Sequence, residues 1–496
     1  MIWRVNNMKG SLSFGKIKTS LVLLLAVFVL AREGWAESVV VTVDPNAAGA
    51  EISPDFIGVS YEMSAILPDR NGRYFFSADN KPLLETFRAL GIKSLRVGGN
   101  TADRPSIKVP GEADIDSLFA FARAAGVKVL YTLRLNEGEP KTIAPGPSKA
   151  GSKETLKPYD PKADARIANY ILDHYAANLA CFIIGNEPDH YYADFPSYRQ
   201  AWEKFAGEIT SPAALFCGPS TTPSRVAWAG DFARELGHGH RVAFITQHEY
   251  PAGSGRITDV DAARAKLLSP RIEAVYQKFY DAFAPAVLEA GQHFRLEECN
   301  SFSNGGARGV SDAFAASLWG VDYMYWWAAH GASGLNFHTS GANSTMRYAV
   351  FAAKPEGCDV HALGYALKAF DLGCHGRLVA ASVNPPEPKL KAWVVRGAKA
   401  LFVTLINKDY SAGATALQVT LNAGASSLTG QTMLLSAASD GVEATTGITL
   451  GGASIRDDGS WNGQWSPLTP QAGSGHWVVA LPPASIVVVK LAACRA

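Results

Sequence analysis

Residues 180–188 read ACFIIGNEP. An apolar run of strand length stops there on an amide, Asn186, a carboxylate, Glu187, and a proline that cannot continue the pairing. The same design recurs on both sides. FIGVSYE (56–62), KSLRVGG (93–99), KVLYTLRL (128–135), ALFCGPS (214–220), AFITQHEY (243–250), HFRLEECN (293–300) and SGLNFHT (333–339) are further strand-like runs. Helical patterns lie between them. KPLLETFRALG (81–91) is apolar at i, i+3, i+4 and i+7, and DIDSLFAFARAAG (114–126) opens on Asp114 as a candidate N-cap; both stop on glycine. Eight strands alternating with helices over about 300 residues predict a (β/α)8 TIM barrel. A doubly wound open sheet is the rival. It normally carries a glycine-rich turn after its first strand, whereas here that strand runs into SYEMS.

The pattern changes near residue 375. RLVAASV, KAWVVRG, ALFVTLIN, ALQVTLN, TMLLSA, ITLGGASI, HWVVAL and SIVVVKLA are short, β-rich and separated by Gly, Asn, Asp and Pro. They predict a C-terminal β-sandwich without chemistry of its own. The expected division is a leader over 1–36, an N-terminal strand within 37–55 that joins the sandwich, the barrel over 56–372 and the sandwich over 373–496.

The leader reading rests on Arg4, Lys9, Lys16 and Lys18, followed by SLVLLLAVFVLA and then Gly34-Trp35-Ala36. The apolar run is short for a membrane span, so a cleaved signal peptide and a secreted or periplasmic protein are expected. A formal net charge of +1 gives no global field to recruit nucleic acid or an anionic membrane. Six cysteines match no zinc spacing; Cys181 and Cys217 read as buried thiols, and Cys374 and Cys494 as a possible pair.

In a barrel of this kind, polar residues that close strands gather at the C-terminal mouth. They are Glu62, Asn100, Asn186-Glu187, His248-Glu249-Tyr250, Glu297-Glu298 and His338. Several carboxylates meet there without a metal-type cluster, and neither a metal nor a cofactor is expected. Two carboxylates are the minimum kit for breaking a glycosidic bond: one protonates the leaving oxygen, and the other attacks the anomeric carbon or activates water. Glu187 is the expected proton donor, with Asn186 beside it on a sugar hydroxyl. Glu297 and Glu298 are neighbours, so strand alternation admits only one to the mouth. Phe294 and Leu296 share a face with Glu298, His293 and Arg295 with Glu297, and periodicity does not choose between them. His248 and His338 read as hydrogen-bonding partners, and Trp326-Trp327 as outer packing.

LRVGGNTAD, GNEP, RLEECNSFSNGGARGVSDAFAASLWGVDYM and LPPASIVVVKL together resemble glycoside hydrolase family 79, the microbial β-glucuronidases and heparanases, within the retaining glycosidases of clan A. The resemblance spans the barrel and the sandwich. It implies Glu298 as nucleophile, with Glu297 a neighbour paired to Arg295, and Glu187 as acid/base. It implies sugar contacts from Glu62 and Asn100, a Tyr250 that orients the nucleophile, and a Tyr348 that reads a sugar carboxylate. Met346-Arg347 stand where relatives often have glycine, which offers Arg347, with Lys354, as a cation for a uronate.

The expectation is thus an exported retaining β-glucuronidase acting on a uronate-containing carbohydrate. The alternatives are a clan A exo-β-glycosidase for neutral sugars, an endo-acting heparanase-like enzyme, and a carbohydrate-binding protein on an inactive barrel.

Overall fold

The computed structural model describes residues 38–138, 156–341, 346–354, 356–424, 428–438, 441–471 and 475–493. The leader and Cys494 lie outside them. Eight parallel strands close a barrel, in chain order Ile57–Glu62, Ser94–Gly98, Lys128–Leu133, Leu179–Ile184, Phe216–Thr221, Val242–Glu249, Phe294–Cys299 and Leu335–His338. The last strand pairs back onto the first, Ile57 with Leu335 and Ser60 with His338. The strands are buried along nearly their whole length because helices cover their outer faces. Side chains pointing outward, such as Phe182 and Phe216, join the large core beneath those helices, while Leu130, Cys181, Ile183 and Cys217 form a small separate cluster.

Helix starts follow the capping chemistry. Asn80, Asp160, Asp194 and Asp259 each accept a backbone N–H of the first turn of the helix that follows. Asp114 differs from its expected place. The helix begins at Glu112, and Asp114 sits one turn in, reaching back to the Gly111 N–H at 2.8 Å. Trp326 and Trp327 lie on the helix Ala315–Ala329 and are buried against Tyr280 and Phe283, away from the barrel mouth. Among the described residues, no helix is long and apolar enough to cross a membrane.

The second layer is a ten-stranded sheet that curls on itself. Strand Ser38–Glu51 lies inside it, antiparallel to Arg377–Asn384 and parallel to Leu417–Asn422. Its own core includes Val39, Val41, Val403, Leu405, Val419, Trp477 and Val489. The sheet is fastened to the barrel by a buried polar knot. Asp322 of the helix Ala315–Ala329 accepts from Trp393 Nε1 at 2.8 Å and pairs with Lys408 Nζ at 2.5 Å.

Candidate active site

The chain leaves the fourth barrel strand through a constrained turn. Gly185 has φ +80°, and a Cβ there would lie 2.7 Å from Leu135 Cβ, so only glycine fits. Glu187 itself adopts a left-handed conformation, φ 46° and ψ 59°, which is strained for a side chain of this type. Pro188 then opens the single 3₁₀ turn Pro188–His190. The Glu187 N–H donates to the Ser220 carbonyl at 3.0 Å, and the Asn186 N–H to Asp103 Oδ2 at 2.9 Å. Asp103 also receives the N–H groups of Leu135 and Asn136, so one buried carboxyl ties the ends of the third and fourth strands together.

The seventh strand carries the second acid. Pairing with the sixth strand matches Gln247 to Leu296 but His248 to Glu298, so Glu297 is an extra residue. A bulge of this kind breaks alternation and re-aims side chains. Both glutamates therefore approach His248, the wholly buried Glu297 at Nε2 and Glu298 from the side of Nδ1. His248 Nδ1 lies 3.0 Å from Glu187 Oε1 and Nε2 lies 3.0 Å from Glu297 Oε1; Glu298 Oε1 is 3.9 Å away. The expected Glu297–Arg295 pair does not form. Arg295 turns instead to Asn336, the Ser333 and Asp55 carbonyls and the Asp55 carboxylate.

Glu298 is held from three sides. Arg96 Nη1 donates to Oε2 at 2.7 Å, the Tyr250 hydroxyl donates to Oε1 at 2.8 Å, and His338 Nδ1 stands 3.8 Å from Oε2. Arg96 also donates to Asn186 Oδ1 at 2.6 Å and to Ser60 Oγ at 3.1 Å. It thus links the second, fourth, seventh and first strands from a fully buried position. Sequence reasoning passed over it, although a lone arginine inside the buried run KSLRVGG was a visible signal.

Glu62 accepts from the Thr101 N–H at 2.7 Å and hydroxyl at 2.6 Å and faces His338 Nε2 at 3.7 Å. Asn100 is exposed and lies outside this cluster. The reason is Gly99, whose φ of +63° turns the chain so closely over Glu62 that Thr101, not Asn100, meets it. Tyr348 is buried near the cluster, its ring centroid 6.1 Å from that of His338 and 6.2 Å from that of Tyr250. Arg347 points elsewhere, pairing with Asp312 at 3.7 Å, and Lys354 is engaged by Asp457 and Asp359.

The electrostatics follow the contacts. Burial alone would raise the Glu298 carboxyl, but the cations at His338, His248 and Arg96 outweigh it and hold the group at about 2. Burial likewise works against Glu187, and hydrogen bonds from His190 and His248 overcome it, leaving that carboxyl below the usual range. For His248, burial favours the neutral ring, yet Glu297 and Glu298 hold it protonated well above its ordinary pKa. Both ring nitrogens then donate, Nδ1 to Glu187 and Nε2 to Glu297. One ligand atom each from Glu187, His248 and Glu298 lies within 4.8 Å of the other two, the described group best placed to approach a common ion. Both His248 nitrogens already face carboxylates, so an ion would have to displace one of these bonds.

No family model matches the chain, and no curated relative does. Several solved structures share its whole architecture. A 4-O-α-L-rhamnosyl-β-D-glucuronidase from Fusarium oxysporum 12S is 17% identical with a TM-score of 0.67, over 91% of this chain and 100% of that one. A GH51 arabinofuranosidase from Xanthomonas axonopodis pv. citri is 14% identical with a TM-score of 0.65, over 92% and 99%. CelM2, a bifunctional glucanase-xylanase from a metagenome library, is 15% identical with a TM-score of 0.61, over 92% and 100%. At these identities the likeness is one of fold: this chain shares its (β/α)8 barrel and appended β-domain with solved structures of several glycoside hydrolase families.

Proposed function

We propose that the protein is a retaining β-glycosidase for glycans of neutral sugars, with Glu298 as nucleophile and Glu187 as acid/base. The observation that carries this reading is the approach of the two carboxylates, with oxygens within 4.8 Å across a buried mouth. Retaining enzymes place the pair about 5–5.5 Å apart, inverting ones roughly 6.5–9.5 Å. Glu298 attacks the anomeric carbon and forms an ester while the glycosidic C–O bond breaks. The proton that His248 Nδ1 holds against Glu187 passes through that carboxylate to the departing oxygen. Water then attacks the same carbon, returns a proton to Glu187 and frees Glu298. NMR of the first-formed anomer tests the reading: a β-glycoside should release the β-anomer, and the α-anomer would rule the mechanism out.

The neutral glycone is favoured by the cations. Arg96 is committed to Glu298, Arg347 to Asp312 and Lys354 to two aspartates, so none of these three waits for a uronate. A buried carboxylate without a partner would cost several kcal/mol. A second reading, a β-glucuronidase, is supported by the buried Tyr348 at the cluster and by the fold shared with the Fusarium enzyme. Paired 4-nitrophenyl β-glucoside and β-glucuronide separate the two. If the glucuronide is the better substrate, Tyr348→Phe should lower its kcat/KM about 10- to 150-fold, the worth of one hydrogen bond to a charge. It should affect the glucoside much less.

Glu187→Ala should slow glycosides with poor leaving groups by about 10²- to 10⁴-fold, the usual contribution of a general acid. Activated aryl glycosides barely need protonation and should be spared. A uniform loss across leaving groups would remove Glu187 from the acid role.

In the free enzyme the raised His248 ring holds the proton, donating it to Glu187 from Nδ1 and facing Glu297 with Nε2. Activity should therefore fall as pH rises through the elevated pKa of His248. Replacing His248 by Asn removes the stronger holder and leaves the proton to Glu187 and its remaining partner His190, so the basic limb of kcat/KM should move to lower pH. An unmoved limb would mean that the donor titrates independently of His248.

A further inference from the structure

The fourth and fifth barrel strands meet along a short seam. Their register covers Phe182–Phe216 and Ile183–Cys217, whereas the seams on either side each run over five pairs. At the mouth, the Glu187 N–H donates across this seam to the Ser220 carbonyl. Lower down, each strand contributes one cysteine. Cys181 and Cys217 are wholly buried in the small cluster with Leu130 and Ile183, and their sulfurs stand 2.7 Å apart. Both are free thiols in this structure. Two unbonded sulfurs ordinarily rest farther apart, and the two side chains already point at each other, as a bond of roughly 2.05 Å requires. Other cysteines are engaged elsewhere: Cys299 Sγ donates to the Asn336 carbonyl at 3.7 Å, and Cys374 Sγ to the Asp371 carbonyl at 3.9 Å.

We infer that Cys181 and Cys217 form a disulfide that staples the fourth strand to the fifth beneath the turn carrying Glu187. The inference does not depend on the glycosidase reading. The oxidant is an external disulfide, small or protein-borne, of the kind that oxidising compartments supply. One cysteine thiolate attacks it and releases the first donor thiol. The second cysteine thiolate then attacks the mixed disulfide, the protein S–S bond forms and the second donor thiol leaves. The two protein thiol protons end on the two donor thiols, so the cysteines are oxidised and the donor is reduced. Burial sets the timing. Desolvation, and then the neighbouring Cys181, push the Cys217 thiol well above its ordinary range, so the closed barrel offers neither thiolate nor access. The exchange therefore belongs to the folding chain, before the barrel closes. The cysteines are 36 residues apart, and the loop between them includes Glu187 and the helix Phe195–Glu208. Closing that loop restricts the unfolded chain and so steadies the folded seam.

The test synthesises the full chain cell-free, in parallel with a mixture of reduced and oxidised glutathione and with reductant alone. The folded protein is then opened in denaturant with iodoacetamide and no reductant, and its peptides are mapped by mass spectrometry. From the glutathione mixture, Cys181 and Cys217 should be recovered unalkylated in one linked pair of peptides, two hydrogens lighter than the free thiols. Both cysteines alkylated, or either joined to a different cysteine, would overturn the bridge. The protein made with reductant alone should melt about 2–4 °C lower, the shift that an ordinary disulfide gives a chain of this size. That difference between the two preparations should vanish in the double variant Cys181→Ala/Cys217→Ala. A linked pair without a melting difference, or a difference that persists in the double variant, would overturn the stapling.

Discussion

Glu298→Ala is expected to abolish turnover, and added azide to restore it with an α-glycosyl azide as product. Removing a covalent nucleophile costs on the order of 10⁴- to 10⁶-fold in rate in enzymes where such groups act as a unit. The surroundings of Glu298 make a loss of that size reasonable. Arg96, Tyr250 and His338 keep the carboxylate ionised and fix both its oxygens, so no neighbour is free to replace it. Azide fits the space vacated by the side chain and attacks the anomeric carbon from the same face, which sets the α configuration. With Glu187→Ala the sugar ester still forms, and azide entering from the opposite face should give the β-azide. Because the bulge brings Glu297 against the same histidine, Glu297→Gln is the necessary control. It should perturb His248 and the pH profile without removing the covalent step. Dead Glu297→Gln beside active Glu298→Gln would exchange the two roles.

The barrel was legible because each strand is a short apolar run that ends abruptly in polar residues, and because helical periodicity fills every gap. Both features are local, and parallel strands covered on two faces leave no other way to bury such runs. Three things at the site were not legible. The bulge at Glu297 is a property of pairing between two strands, and no pattern within HFRLEECN announces it. Arg96 hides because period-two alternation cannot tell which face of a wholly buried strand looks into the barrel. Asn100 was assigned by its place after a strand and Arg347 by its place in the family resemblance, but loop side chains take directions set by turns. A left-handed Gly99 hands the Glu62 contact to Thr101, and Arg347 swings out to Asp312.

Arg96→Met is expected to destabilise the protein by about 3–5 kcal/mol, the usual result of removing one partner from a buried ion pair. Arg96 is wholly buried and Glu298 nearly so, hence the remaining carboxylate would have neither its cation nor water. Asn186 Oδ1 and Ser60 Oγ would lose a donor as well. The pair's own charge accounts for the loss only if the double variant Arg96→Met/Glu298→Gln regains most of it, because a neutral amide needs no counter-ion. Denaturant unfolding of the four proteins of this cycle decides the matter. Equal losses in the single and double variants would assign the effect to packing around the methionine. The pH dependence supplies a second check. Glu298 titrates at about 2 when folded, below the ordinary carboxylate. Its contribution to stability is therefore complete above the unfolded value of about 4.3 and is lost as pH falls toward 2. The deficit of Arg96→Met should be full at neutral pH and shrink through that same acidic window, since a protonated Glu298 no longer requires the guanidinium.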